Sequence, residues 1–162
     1  MNVKALKSWL SFRERRRPCT TVVLHATAGS TSSGAIATLI QRRLSYHYLV
    51  EKDGTVIKCV PTGKVAFHAG VSFGPEGNGV NDYSIGIALV NRNDGLDPYT
   101  AAQMTATKKL VRDLRSAIPT LKWITTHREI SWPRKNDPRK FDLFDAARAG
   151  LFAWRRKGVP AE

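Results

Sequence analysis

Two histidines and one aspartate carry side chains that could bind a metal ion together. His25 ends the apolar run 21–24 and His127 ends a similar run, 123–126, so both imidazoles are expected at the exits of strands. Asp137 follows in the loop after His127. Two neutral imidazoles and one carboxylate form a zinc ligand set that leaves a fourth position for water, as in hydrolytic sites. We therefore predict a hydrolytic zinc site.

The elements that must position these residues alternate between strands and helices. Strands are predicted at residues 21–24, 84–90 and 122–126, and helices at residues 35–43, from Thr100 through Ile118, and at 141–156. Thr100 and Gln103 match a capping box, and two β-rich runs around Asp53-Gly54 predict a hairpin over residues 46–60. This order predicts the α/β class: a single domain with a central mixed β-sheet flanked by helices and the zinc site at strand ends.

The first 18 residues differ in character from the rest of the chain. Val3, Leu6 and Leu10 recur at helical spacing ahead of an arginine cluster, which predicts a short basic amphipathic helix within residues 1–18. A docked or frayed terminal helix is the favoured interpretation, and a membrane- or wall-binding element is the alternative. Residues 19–162 are then predicted to form the zinc-binding domain.

The charge of the chain is strongly positive. In its 162 residues, 26 Lys and Arg stand against 13 Asp and Glu, for a net charge of +13. Such a charge favours polyanions of several kinds: nucleic acid, anionic lipid or an acidic cell-wall polymer. Charge alone cannot choose among them, and a solvated basic surface is the simplest interpretation.

Hydropathy and cysteine content bear on location. No apolar run approaches the roughly 18 to 20 residues that span a bilayer, and the N-terminus lacks the apolar core and cleavage site of a secretory signal. A cytoplasmic protein without a transmembrane segment is therefore expected. Cys19 and Cys59 lack CxxC spacing and are predicted to be free, partly buried thiols, although a single disulfide stays open.

Five segments together carry a family resemblance. They read VVLHATAG, SYHYLVEKDGTV, VAFHAG, NDYSIGIALV and THREISWPRKNDPRKFD, in that order, between about Cys19 and Phe141. In order and spacing they resemble the zinc-dependent N-acetylmuramoyl-L-alanine amidases of the type-2 family. That family includes small bacteriophage lysozymes, bacterial anhydromuropeptide amidases and animal peptidoglycan recognition proteins.

The resemblance implies roles for the metal-binding residues and one neighbour. It identifies His25, His127 and Asp137 as the zinc ligands. Lys135 lies two residues before Asp137, and the resemblance assigns its ammonium to stabilise the oxyanion that forms during amide hydrolysis. A loop lysine that is only a solvated charge is the alternative interpretation.

Two further residues match positions near the metal in family members. Tyr46 corresponds to the tyrosine of phage-type and recognition-protein members, and its hydroxyl is expected to orient the attacking water or to hydrogen-bond the transition state. The alternative is a half-buried strand tyrosine. His68 resembles the histidine that lines the substrate groove, so we predict a substrate-binding residue, with a plain surface-loop histidine as the alternative.

The chain also mixes features of two branches of the family. The anhydromuropeptide amidases carry a catalytic glutamate where this chain has Ala88, and the phage-type members lack it too. Phage-type members commonly use cysteine as the third ligand, whereas this chain has Asp137. The identity of the general base therefore stays open. With the glutamate missing, more of the catalytic role is expected to fall on Tyr46 and Lys135.

These features predict an enzyme that hydrolyses the amide between N-acetylmuramic acid and L-alanine in peptidoglycan, with Zn²⁺ as its cofactor. A small basic chain without a signal peptide suggests a phage or prophage endolysin, a monomer that waits in the host cytoplasm and acts on the cell wall after membrane permeabilisation. The alternatives are a cytoplasmic muropeptide-recycling amidase and a non-catalytic peptidoglycan-binding module. A nucleic-acid binder is suggested only by charge, and no specific nucleic-acid partner is expected.

Overall fold

The computed structural model describes residues 1–162. Eleven strands are formed: β1 (Val3–Ala5), β2 (Phe12–Glu14), β3 (Thr21–Ala26), β4 (Tyr48–Val50), β5 (Val56–Lys58), β6 (Lys64–Ala66), β7 (Phe73–Gly74), β8 (Gly77–Asn78), β9 (Ser84–Leu89), β10 (Trp123–Thr126) and β11 (Phe152–Ala153). The helices are α1 (Ser32–Arg42), α2 (Ala101–Ala117), α3 (His127–Ser131) and α4 (Leu143–Ala147), with a 3-10 helix at Val80–Tyr83. None of these helices combines the length and the apolar character needed to cross a membrane.

The central sheet contains seven strands in the order β1-β5-β4-β9-β3-β10-β11. Neighbouring strands run parallel except β4 and β5, which form an antiparallel hairpin. The hairpin turns at Asp53-Gly54, where Gly54 has a φ of 84° that suits glycine. The predicted α/β class with a mixed sheet and this hairpin are confirmed.

One face of the sheet packs against α2. Ile85, Ile87 and Leu89 of β9 belong to a 19-residue apolar cluster that includes Leu110 and Val111 of the helix. The predicted start of α2 is confirmed, because the Thr100 hydroxyl accepts a hydrogen bond from the Gln103 backbone N–H at 3.0 Å and the Gln103 side-chain oxygen accepts one from the Thr100 backbone N–H at 3.2 Å. The largest apolar cluster of the molecule therefore lies on this face.

The opposite face packs against α1. Leu39 of α1 joins Leu49 and Ala88 in a second apolar cluster. The helix begins earlier than predicted, at Ser32, because the Thr31 side chain accepts a hydrogen bond from the backbone of Gly34 and caps the first turn. The sheet is therefore covered by helices on both sides, as parallel strands require.

The predicted N-terminal helix is wrong. Residues 3–5 instead form an edge strand parallel to β5, and residues 12–14 pair with β6. The helical spacing was misleading, because Val3 is 52% exposed whereas Leu10 is buried. Free backbone groups at the edge of the sheet offer hydrogen bonds to a chain that runs alongside, and this pairing decides the local conformation.

The predicted C-terminal helix is also mostly wrong. It is limited to α4, after which Gly150 adopts a φ of 102° and the chain turns to place β11 beside β10.

Cys19 and Cys59 are free, as predicted, and both are buried rather than only partly buried. In addition, the stretch predicted as a ligand-bearing loop begins with the short helix α3.

Candidate metal centre

His25, His127 and Asp137 converge at one edge of the sheet. His25 is the fifth residue of β3, and His127 follows directly on β10 as the first residue of α3. Since β3 and β10 are parallel neighbours, their carboxyl ends lie side by side. Nδ1 of His127 lies 3.0 Å from a carboxylate oxygen of Asp137, and Nδ1 of His25 lies 3.5 Å from one. One nitrogen or oxygen from each residue lies within 4.8 Å of the others, and all three residues are buried.

Both imidazoles direct Nδ1 toward the Asp137 carboxylate, where a cation could bind. Nε2 of His127 lies 3.2 Å from the Ala69 carbonyl oxygen, which can only accept, so the tautomer with its proton on Nε2 satisfies this contact and offers the Nδ1 lone pair to a cation. Nε2 of His25 faces Nδ1 of His68 at 3.0 Å. Nδ1 of His25 is buried and makes no hydrogen bond. A buried lone pair without a donor is what a metal ligand shows before its metal is added.

The protonation states also suit a metal ligand set. Burial, reinforced by the neighbouring His127, lowers the pKa of His25 to about 4, so its imidazole is neutral at neutral pH. Burial acts to raise the pKa of Asp137, but the imidazoles of His127 and His25 together hold it below its ordinary value. Two neutral imidazoles and an ionised carboxylate match the donors that zinc prefers. The residues present therefore fit a zinc ion.

An open groove of about 420 Å³ leads to these residues. Tyr46, Lys135 and Arg42 line it together with His127 and Asp137. Because the groove is open to solvent and has polar side chains beside His127 and Asp137, it could hold a substrate with one of its bonds near these residues.

The comparisons with known proteins agree with this geometry. The sequence pattern of the N-acetylmuramoyl-L-alanine amidase family matches residues 15–140. The chain belongs to this family. It is 38% identical over 115 residues to the 1,6-anhydro-N-acetylmuramyl-L-alanine amidase AmpD of Escherichia coli, a match that covers 69% of this chain and 60% of AmpD.

Two further comparisons involve the amidase AmiD of Escherichia coli. Its sequence is 32% identical over 149 residues, which cover 82% of this chain and 54% of AmiD. The crystallised complex of AmiD with anhydro-N-acetylmuramic acid-L-Ala-D-γ-Glu-L-Lys superposes with a TM-score of 0.72 at 31% identity, covering 86% of this chain and 60% of that one. The chain thus spans little more than half the length of these relatives.

Tyr46 and Lys135 of this amidase-family chain both lie at the groove. The ring centroid of Tyr46 is 4.9 Å from that of His25. Burial, with a smaller contribution from Asp137, raises the pKa of Tyr46, so its hydroxyl keeps its proton at neutral pH. Lys135 is exposed and lines the same cavity. Both residues line the same groove as His127 and Asp137, and their catalytic roles stay predictions.

His68 occupies a less exposed place than a groove-lining residue would. Its ring is buried against β9, with Nδ1 facing His25 of β3 and Nε2 lying 3.1 Å from the Ser84 hydroxyl. It borders a smaller cavity of about 220 Å³ that also contacts Tyr46. Substrate binding by His68 stays a prediction, but its nearest partner is a metal-binding residue.

Ala88 lies opposite His25 in the register of β9 and β3 and is fully buried. No carboxylate therefore faces the metal centre from this position of β9.

Sequence reasoning missed two residues beside His68, Asn81 and Ser84, although both lie in the quoted segment NDYSIGIALV. The available signal was their place in a segment that carries the family resemblance, and only the structure shows their contacts with His68.

Proposed function

We propose that this chain is a zinc-dependent amidase that hydrolyses the bond between N-acetylmuramic acid and L-alanine. The observation that supports this most directly is the convergence of His25, His127 and Asp137 at an open groove, in a chain of the N-acetylmuramoyl-L-alanine amidase family. His25 and His127 would hold the ion through Nδ1, and Asp137 through a carboxylate oxygen. When bound, zinc in such a site polarises a carbonyl and activates water for hydrolysis.

The groove residues account for the remaining chemistry. Hydrolysis adds the oxygen of water to the lactyl carbonyl carbon, breaks the carbon–nitrogen bond and transfers a proton to the nitrogen of L-alanine. The protonated hydroxyl of Tyr46 can orient the attacking water or donate to the oxygen that gains charge. The ammonium of Lys135 can offset that negative charge, which is greatest in the transition state.

The substrate we favour is a soluble anhydromuropeptide. AmpD is named for the 1,6-anhydro-N-acetylmuramyl-L-alanine bond, and AmiD was crystallised with an anhydromuramoyl peptide. These relatives support hydrolysis of small anhydromuramoyl fragments, as in muropeptide recycling, over the phage endolysin function expected from the sequence. Host lysis and bacteriolytic activity gain no support from them.

Cleavage of intact peptidoglycan is the second candidate function. Tyr46 and Ala88 support it, because both match the phage-type branch in the sequence comparison above. The non-catalytic module has less support, since every metal-ligand position is filled by a residue that can bind zinc.

The test uses the full chain with two substrates, an anhydro-N-acetylmuramoyl tripeptide and purified sacculi, each with and without a chelator. Mass analysis should show a free peptide with L-alanine at its amino terminus, formed faster per bond from the soluble fragment. Chelator should stop the reaction and added zinc should restore it. An unchanged tripeptide in the presence of zinc would contradict the proposal, and preferential cleavage of sacculi would replace recycling with wall lysis.

A further inference from the structure

We propose that the dipeptide His68-Ala69, held in place by Asn81, positions both metal-binding histidines from behind. The inference rests on the zinc site of the proposed function and adds residues to which no role has been assigned. His68 becomes a positioning residue in place of the substrate-binding residue predicted from the sequence.

The two residues of the dipeptide each contact one ligand. With the lone pair of His25 Nδ1 directed at the metal centre, its proton lies on Nε2, which donates to Nδ1 of His68 at 3.0 Å. The Ala69 carbonyl oxygen accepts the Nε2 proton of His127 at 3.2 Å. Both hydrogen bonds fix the tautomer and the rotation of an imidazole, which is how partners of metal-bound histidines act.

Asn81 holds the backbone of this dipeptide. Its side-chain oxygen accepts hydrogen bonds from the backbone N–H of His68 at 3.1 Å and of Ala69 at 2.8 Å. Asn81 lies in the 3-10 helix just before β9. One carboxamide oxygen therefore sets the position of the two groups that orient the ligands.

The ring of His68 is held separately by β9. Its Nε2 donates to the Ser84 hydroxyl at 3.1 Å, and the ring packs directly on Gly86. A Cβ added at Gly86 would lie 2.5 Å from Cγ of His68, which is closer than atoms can approach. Only glycine at this position lets the ring lie flat against the strand and face His25.

Arg15 supports the same strand from the basic N-terminal segment. Its guanidinium donates to the carbonyl oxygens of Ser84 and Lys64, both at 2.8 Å. The arrangement behind the metal centre is thus assembled from three separate parts of the chain: Arg15, the dipeptide His68-Ala69 and the segment from Asn81 to Gly86. Together they restrict the motion of imidazoles that the metal would otherwise have to order on binding.

The first test compares Asn81→Ala with Asn81→Asp, and uses Asn78→Ala as the matched control because Asn78 is exposed and its side chain takes no part in these hydrogen bonds. Zinc affinity is measured by competition with a chromophoric chelator. Asn81→Ala should lose about 10-fold in affinity, near the lower end for partners of metal ligands. Asn81→Asp keeps an acceptor for both N–H groups and should bind nearly as tightly as the wild type, and Asn78→Ala should be unchanged.

Thermal unfolding of the same variants, in chelator and in excess zinc, separates positioning from general stability. A positioning role predicts that zinc raises the melting temperature of Asn81→Ala less than that of the wild type. An equal zinc-induced rise, or an unchanged zinc affinity, would overturn the inference. A wild type that binds no zinc would instead contradict the proposed function.

The second test replaces the ring itself. In His68→Asn the side-chain oxygen can take the place of Nδ1 and accept from His25, whereas His68→Leu offers no acceptor. His68→Leu should lose about 10- to 100-fold in zinc affinity and change the visible absorption of the cobalt-substituted protein, and His68→Asn should recover part of both. Wild-type affinity and an unchanged cobalt spectrum in His68→Leu would show that His68 does not position the ligand.

Discussion

The two faces of strand β9 differ in what they bury. Toward α2 the strand presents Ile85, Ile87 and Leu89, all without solvent exposure and packed in the large apolar cluster. Toward the metal centre it presents Ser84, Gly86 and Ala88, which are equally buried but small. The alternation of side chains along a strand lets six residues serve both faces.

The difference shows how the sheet separates stability from binding. Large side chains on the α2 face bury apolar area, whereas small ones on the opposite face leave room for the rings of His68 and His47. Those rings are polar, and their buried nitrogens are hydrogen-bonded to Ser84, Lys64 and the backbone of Gly86. Changes on the first face should therefore lower stability, and changes on the second should lower metal binding or activity.

The largest effect is expected from removing a metal ligand. His127→Ala deletes one of three zinc donors, so the variant should lose most of its zinc and nearly all amide hydrolysis. Metal analysis should show about one zinc per chain in the wild type and a large loss in the variant. Full zinc retention in His127→Ala would exclude His127 as a ligand.

Lys135→Ala should have the next largest effect and should leave the zinc content unchanged. If the ammonium stabilises the transition state, kcat should fall by roughly 10²- to 10³-fold with little change in KM. Lys135→Arg should recover activity only in part, because a planar guanidinium cannot occupy the place of a compact ammonium. Near-normal turnover with full zinc would leave Lys135 as a solvated charge.

On the α2 face, Ile87→Ala should reduce stability and spare the site. Truncation of a fully buried isoleucine should lower the free energy of unfolding by about 2–5 kcal/mol, while the folded fraction keeps its zinc affinity. Ile40→Ala is the matched control, because Ile40 is 63% exposed and should change stability by about 0.5 kcal/mol or less. Denaturant unfolding and zinc titration measure the two properties. Weakened zinc binding in folded Ile87→Ala would show that the two faces are coupled.

Acid should lower the stability of the protein through the buried histidine on the polar face. On the apolar face, Ile85, Ile87 and Leu89 have no group that titrates. Burial lowers the pKa of His47 to about 4 from 6.5. Between pH 6.5 and 4, His47 is therefore protonated in the unfolded chain but stays neutral in the folded chain. The free energy of unfolding falls as the pH drops through this range, and the loss from this residue is at most roughly 3 kcal/mol. Urea unfolding in chelator at pH 7.5 and 5 should show this loss.

His47→Gln serves as the matched variant for the acid experiment, because it has no group that titrates in this range. Its stability should depend less on pH than that of the wild type between pH 7.5 and 5. Parallel pH profiles for the two proteins would mean that His47 is not held neutral in the folded state.

The sequence alone determined the elements with local signals. The capping box at Thr100, the turn at Asp53-Gly54 and the alternation of strands and helices sufficed for α2, the hairpin and the fold class. Such signals act within a few residues, so they can be identified without knowledge of tertiary contacts. Residue types, the placement of His25 and His127 after strands and the family resemblance also predicted that His25, His127 and Asp137 bind zinc, and the structure brings these three residues together.

Only the tertiary structure decided the remaining features. The segments near both chain ends become strands because β5 and β10 have free backbone groups with which they can pair. No local sequence pattern indicates this pairing. Arg15 is half-buried behind the metal centre although its neighbours suggested a solvated cluster. The role inferred for His68 depends on its contacts with His25 and Ser84, which are 43 and 16 residues away in sequence. Contacts over such separations are set by how the whole sheet is assembled, and spacing along the chain cannot specify them.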